Sequence, residues 1–221
     1  KNPLDIKSRM AELHSALYGN LSLKSAFDMA LYDIAARVNT MPLYQFLGGN
    51  KNKKLITDQT VSIDSPENMV AQAKRFLDEG FTHIKVKLGK NADDDILRIA
   101  TLRNALGPDI PLRIDANQGW TPEEAIHVLR SIEKYNVEHC EQPVHRKDYI
   151  GMKKVKDHAN IHIMADESLN DSQDARLIID QHCCHEFNIK FGKSGGILEA
   201  TRIAEIASNS NITCQVGCFN E

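Results

Sequence analysis

From residue 57 onward, short apolar runs alternate with longer segments whose apolar positions recur every three or four residues. The short runs, 57–63, 83–88, 111–116, 137–142, 161–166, 186–191 and 212–217, are bounded by polar residues and read as strands. Amphipathic helices are predicted between them, starting near Pro66, Asp93, Pro122, Asp148, Ser172 and Ile197. Strand and helix alternating at a near-constant period imply parallel strands with helical crossovers. Seven such units are too many for an open sheet of this length. They suit a TIM-like α/β barrel, which has eight strands in roughly 250 residues. The chain stops just after the seventh strand, so the expectation is an incomplete (β/α)7β barrel over 51–221, strands one to seven, with the eighth strand absent.

The first 50 residues follow a different pattern. Ala26, Phe27, Ala30, Leu31, Ile34 and Ala35 recur at helical spacing within 22–38, with Ser22 as the expected cap. Pro42 and Gly48-Gly49 end that pattern, and Asn50-Lys51-Asn52-Lys53-Lys54 reads as a solvated linker. Residues 1–50 therefore form a helical segment distinct from the barrel.

Composition narrows the classes. Of 221 residues, 42% are hydrophobic and 26% charged, an ordinary globular balance. Lys plus Arg is 27 against 30 Asp plus Glu, which argues against a nucleic-acid partner. No apolar run approaches the roughly 20 residues that cross a bilayer. The polar start Lys1-Asn2-Pro3-Leu4-Asp5 is no signal peptide, and without an initiator Met it reads as a chain beginning part-way through a longer protein. Cys140, Cys183, Cys184, Cys214 and Cys218 are odd in number and contain no Cys-x-x-Cys, which fits a reduced cytoplasm. Nothing in the composition bars association with copies of itself.

Candidate chemistry sits where the predicted strands end. Lys85-Val-Lys87, Asp115-Ala-Asn117, Glu141-Gln-Pro143, Asp166-Glu-Ser168 and Lys190 recur one βα unit apart, at intervals of 24 to 28 residues between Lys87, Asp115, Glu141, Asp166 and Lys190. Barrel enzymes carry their chemistry at this rim. A single Lys or Asp there is ordinarily a solvated loop-edge residue; five in register are not so easily dismissed. Three converging carboxylates repel one another, and a hard divalent cation resolves the conflict, so Asp115, Glu141 and Asp166 are the expected Mg²⁺ ligands. By strand alternation Glu167 points away from them. Lys87 and Lys190, on either side of the carboxylates, are placed to move protons at the carbon next to a metal-bound carboxylate.

Other motifs carry less. Gly192-Lys193-Ser194 lacks the Gly at position 187 that a phosphate loop requires. Asp115-Ala-Asn117-Gln-Gly119 lacks the Glu that ends a calcium loop. Asp93-Asp94-Asp95 reads as an acidic cluster favoured at a helix N-terminus. Trp120 either lines the mouth of the site or packs at the start of the following helix.

The set Lys85-x-Lys87, Asp115-Ala-Asn117-Gln-Gly-Trp120, Glu141-Gln-Pro143, Asp166-Glu-Ser168 and Lys190-x-x-Lys193-x-Gly-Gly196 resembles the enolase superfamily, muconate-lactonizing subgroup. Thr57-Asp-Gln-Thr-Val-Ser62, Glu141-Gln-Pro-Val144 and Val216-Gly-Cys-Phe-Asn-Glu221 are most similar to dipeptide epimerases of the L-Ala-D/L-Glu kind. The resemblance implies that residues 1–50 are the last helices of an α+β capping domain. It places metal ligands on Asp115, Glu141 and Asp166, acid/base lysines on Lys87 and Lys190, and substrate contacts on Lys85, Thr60, Cys218 and Phe219. It implies a Mg²⁺-dependent 1,1-proton transfer at the α-carbon of a dipeptide's C-terminal residue, through a metal-stabilised enediolate. Muconate cycloisomerisation and o-succinylbenzoate synthesis share these lysines and ligands and stay open as alternatives. A Schiff-base aldolase using Lys87 or Lys190 and a catalytically silent binding protein are the readings from other classes.

Overall fold

A computed structural model of the chain describes residues 2–51 and 54–219. Asn52 and Lys53 of the expected linker, and Asn220 and Glu221 of the last motif, lie outside the described residues. The elements are α1 (Ile6–Ala16), α2 (Leu21–Val38), α3 (Leu43–Phe46), β1 (Asp58–Val61), α4 (Pro66–Asp78), β2 (His83–Lys87), α5 (Ala92–Leu106), β3 (Leu112–Asp115) and α6 (Pro122–Ile132). They continue as β4 (Val137–Glu141), α7 (Tyr149–His158), β5 (His162–Ala165), α8 (Ser172–Asp180), β6 (Glu186–Ile189), α9 (Phe191–Ser194), α10 (Ile197–Asn209) and β7 (Thr213–Val216). The strands follow one another in the order β1 to β7. All seven predicted strands are present, each shorter by one to three residues than the run that signalled it.

The chain divides into two compact units. One comprises Ile56–Ser168 and Leu177–Phe187 and holds the ladder from β1 into β6. Each adjacent pair from β1 to β6 is parallel. Its helices begin on local signals. Ser65 caps α4 through the amide of Asn68, with Pro66 in the first turn. Thr121 and Glu124 cap each other at the start of α6. Asn91 caps α5 one residue earlier than the predicted start, and Asp148 caps α7. The apolar stripes Met69, Ala73, Phe76 on α4 and Ala125, Val128, Leu129, Ile132 on α6 are buried.

One register shift interrupts the β3–β4 pairing. Leu112 faces Val137, yet Ile114 faces Cys140, so β4 carries an extra residue between those pairs. A residue's side chain changes face with each step along a strand. The bulge therefore sets Glu141, rather than Cys140, opposite Asp115.

The other unit comprises Lys1–Leu55, Leu169–Arg176 and Asn188–Glu221. Ile6, Met10, Leu31 and Ala35 form its core, with Leu13, Tyr32, Phe46 and Leu198 packed on them. The helix expected over 22–38 starts at Leu21. Ser22 is not its cap: Asn20 takes that position in a left-handed conformation, and the Ser22 hydroxyl donates to the Gly192 carbonyl at 3.3 Å. Asp28, buried on α2, accepts from the Ile197 and Leu198 amides at 2.5 and 3.3 Å and so caps α10 across the unit. A Cβ at Gly196 (φ +120°) would lie 2.3 Å from the Asp28 carboxylate, so that approach requires glycine there. The short helices α3 and α9, and α1, carried no periodic signal strong enough to predict.

Candidate active site

The ladder register brings the strand-end charges onto one face. Lys87 pairs with Asp115, Asp115 with Glu141, and Glu141 with Met164. Asp166 lies two residues past Met164 and so returns to the same face. Lys85 lies two residues before Lys87, and Thr60 pairs with Lys85 in the β1–β2 register.

Asp115, Glu141 and Asp166 each offer a carboxylate oxygen within 4.8 Å of the others, and all three are buried. The Lys85 amine lies 2.9 Å from Asp115 Oδ2 and 2.7 Å from Glu141 Oε2. The Lys87 amine donates to the same Asp115 oxygen and to Asn117 Oδ1, both at 2.7 Å. Burial works against the Lys85 ammonium, but Glu141 and then Asp115 outweigh it and raise its pKa above the ordinary value. Burial likewise opposes ionisation of Asp115, and Lys85 and Lys87 overcome it, holding that carboxyl below its usual range. Glu141 fares differently: burial first, then the Asp115 charge, push it up to about 8 in spite of Lys85.

This imbalance tests the fit of a cation. Asp166 is in hydrogen-bonding contact with Glu141, an arrangement two carboxylates sustain only by sharing a proton or a positive charge. Two lysines set against three carboxylates leave the cluster short of positive charge. An all-oxygen set of three buried carboxylates is the donor chemistry a hard divalent ion prefers, so the residues fit Mg²⁺.

The rim loops hold these ligands in place. Asn117 donates from its amide to Asp115 Oδ1 at 2.9 Å, and its side-chain nitrogen donates to Glu167 Oε1 at 3.1 Å. Glu167 thus turns from the ligands toward the residue that steadies Lys87. Gln142 was not singled out in the sequence, yet it is fully buried in a left-handed conformation (φ 36°). Its Oε1 accepts from the Asp166 and Ser168 amides at 3.0 and 3.1 Å, and its Nε2 donates to the Ser168 hydroxyl at 2.8 Å. One side chain on β4's exit loop therefore fixes the ligand after β5. A Gln between a ligand and a Pro was the available signal. Trp120 is buried at 4% exposure and packs rather than lining an open mouth.

The remaining predicted residues belong to the second unit. Lys190 follows the last residue of β6 in extended backbone, and its amine lies 5.6 Å from the centre of the Phe219 ring. A Cβ at Gly192 would meet that ring at 2.8 Å. Lys193 donates to the Asn188 carbonyl at 3.0 Å. Cys218 is exposed and Phe219 is 43% exposed. Cys140, Cys183 and Cys184 are buried free thiols. No helix among the described residues is long and apolar enough to cross a membrane.

Comparison with known proteins gives this geometry its context. Residues 1–48 match the mandelate racemase/muconate lactonizing enzyme N-terminal domain, and residues 68–221 match the enolase C-terminal domain-like family. The chain is 47% identical over 218 residues to a D-Ala-D/L-Ala epimerase of Cytophaga hutchinsonii, covering 99% of the chain and 59% of that protein. It is 41% identical over 219 residues to an L-Ala-D/L-Glu epimerase of Clostridium acetobutylicum, covering 98% of the chain and 61% of that protein. A solved dipeptide epimerase from Cytophaga hutchinsonii, in complex with Mg and the dipeptide D-Ala-L-Val, superimposes with a TM-score of 0.97 at 46% identity. That superposition covers 99% of the chain and 60% of the solved one, so the chain spans about three fifths of the relatives it matches. With family matches over both its parts, the chain belongs to the mandelate racemase/muconate lactonizing enzyme family of the enolase superfamily.

Proposed function

We propose that the full-length protein is a Mg²⁺-dependent dipeptide epimerase, an isomerase that inverts the α-carbon of a dipeptide's C-terminal residue. The observation that carries the reading is the buried Asp115–Glu141–Asp166 cluster with Lys85 and Lys87 packed against it. Its setting, a chain 41–47% identical to proteins named as dipeptide epimerases, supports the substrate class.

Asp115, Glu141 and Asp166 would hold the metal. Bound there, Mg²⁺ supplies electrostatic stabilisation for the negative charge that gathers on the substrate carboxylate as the α-proton leaves. Lys85 is held as an ammonium by two carboxylates, so it serves as a fixed cation for the substrate carboxylate rather than as a base. Lys87 is the more accessible of the pair, its side chain 31% exposed against 10%. As a neutral amine, formed when the ammonium gives one proton to solvent, it would take the α-proton from one face. Lys190, at the end of β6, is the proposed acid/base group for the opposite face. In the reverse direction the two exchange roles, because each epimer presents its proton to a different lysine. Thr60, beside Lys85 in the ladder, and Cys218 and Phe219, after β7 with the Phe219 ring 5.6 Å from the Lys190 amine, are the proposed substrate contacts. Five cysteines with no Cys-x-x-Cys support a reducing, cytoplasmic location.

The test is proton NMR in D₂O with full-length protein, Mg²⁺ and the L,L and L,D forms of Ala-Glu and the corresponding forms of Ala-Val. Loss of the C-terminal α-proton signal from both epimers, abolished by EDTA, is expected. Turnover of muconate or an o-succinylbenzoate precursor without dipeptide exchange would replace the reading with a one-base reaction. Borohydride trapping of a carbonyl substrate on lysine would point to an aldolase.

A further inference from the structure

Asp95 stands out among the groups that the proposed chemistry does not use. It is fully buried, whereas Asp93 of the same acidic run is 91% exposed. A charge that only complemented the helix dipole would remain at the surface with its neighbours. Burying a carboxylate is costly unless donors surround it, and here they come from separate loops. Asp95 Oδ2 accepts from the Gly89 amide at 2.8 Å and from the Trp120 indole nitrogen at 3.1 Å. Asp95 Oδ1 accepts from Arg98 Nη1 at 2.8 Å, and Arg98 Nε donates to the Asp64 carbonyl at 3.2 Å.

Gly89 lies two residues after Lys87, and Trp120 three residues after Asn117. The same carboxylate oxygen therefore ties the exit loop of β2 to the exit loop of β3. The two loops also touch backbone to backbone. A Cβ on Gly119 would sit 2.0 Å from the Gly89 carbonyl oxygen, and one on Gly89 (φ +99°) 2.1 Å from the Ala116 carbonyl oxygen. At that approach the acceptor of the Gly89 amide is the Asp95 carboxylate. Lys87 leans on Asn117 across this seam at 2.7 Å.

We propose that Asp95 is a positioning residue that sets where the Lys87 amine stands, by clamping the loop after β2 to the loop after β3. Its effect is one-sided: it acts on Lys87 and leaves Lys190, on a different strand exit, untouched. The inference rests on the two-lysine reading above, and two readouts keep them separable.

In full-length protein, Asp95→Asn keeps the shape of the side chain but supplies only one acceptor oxygen where three donors now converge. α-Proton exchange of Ala-Glu in D₂O should slow for the epimer whose exchange is lost in Lys87→Ala, up to about 100-fold, the scale for a catalytic group displaced by an ångström. The other epimer should keep a near wild-type rate, and Mg²⁺ affinity should be unchanged. Equal slowing of both epimers would overturn the proposal, since a general loss of order moves both. The second readout needs no activity: the ε-methylene NMR signal of Lys87, assigned by its absence in Lys87→Ala, should shift in Asp95→Asn while that of Lys190 stays in place. An unmoved Lys87 signal also overturns it. If wild-type protein exchanges neither epimer, the epimerase reading fails and the NMR shift decides the clamp alone. Should Asp95→Asn not fold, Trp120→Phe removes one of the three donors and should give the same one-sided pattern with smaller amplitude.

Discussion

The two ends of the same strands use charge in opposite ways. Where the strands begin, charges are matched. Arg113 on β3 reaches Asp58 and Glu138, each at 2.8 Å. Glu186 at the start of β6 sits between His139 and His162 at 3.2 and 3.0 Å. Burial alone would raise the Glu186 pKa, but its histidine partners win and lower it. Where the strands end, charges are mismatched: three buried carboxylates share two lysines, and Glu141 is pushed up to about 8. The matched end is built to be stable as it stands. The mismatched end is built to be completed by something positive, which is the stability sacrifice that functional sites carry.

Substitutions should separate the two ends. The largest effects belong to the strand exits. Lys87→Ala should abolish α-proton exchange of one dipeptide epimer, and Lys190→Ala that of the other, each loss about 10²–10⁴ in rate by NMR in D₂O. Thermal stability should hardly change in either. If both variants lose the same epimer, one lysine does all the base chemistry and the comparison loses its functional half.

Arg113→Ala at the strand starts should do the reverse. It strips two carboxylates of their partner and should cost about 1.5–3 kcal/mol in urea unfolding, the range for hydrogen bonds to charged groups, with exchange rates intact. A variant as stable as wild type would show that the matched end is decoration.

The smallest effect concerns acid. A carboxyl whose folded pKa is depressed adds stability above its unfolded pKa, ordinarily 4.5, and loses it as pH falls through the lower folded value. Glu186→Gln removes that contribution. Its stability at neutral pH should fall by less than roughly 1 kcal/mol, for a pair still partly open to water. Below pH 4.5 the difference from wild type should shrink toward zero. A difference that grew on acidification would reverse the sign assigned to Glu186.

How much of this was legible in the sequence depends on where the signal lives. The strand order and the charges at the ends of β2 to β5 were legible because each of those strands ends on or beside a charged residue, and that is a pattern in the sequence itself. The bulge in β4 was not. Of Val137-Glu-His-Cys-Glu141 only Glu138 is exposed, so burial there carries no period of two from which to spot an inserted residue. Yet the bulge is what turns Glu141 to face Asp115. Asp95 hid inside an acidic run whose other members are solvent-exposed, and only its three donors distinguish it. The roles of Gln142 and Trp120 stayed undecided in the sequence, since a polar strut and a buried indole are defined by partners 24 to 26 residues away in the cases of Asp166, Ser168 and Asp95. Local chemistry writes itself into a sequence; contacts across loops do not.

The crowded carboxylates at the strand exits should form a divalent-cation site, and isothermal titration of Mg²⁺ into the full-length protein, wild type beside Asp166→Asn, reads this out. Saturable binding is expected in wild type and an affinity lower by at least roughly tenfold in the variant, since removing a ligand should cost no less than removing its outer-shell support. Equal affinity in both proteins, or no binding in wild type, would contradict it.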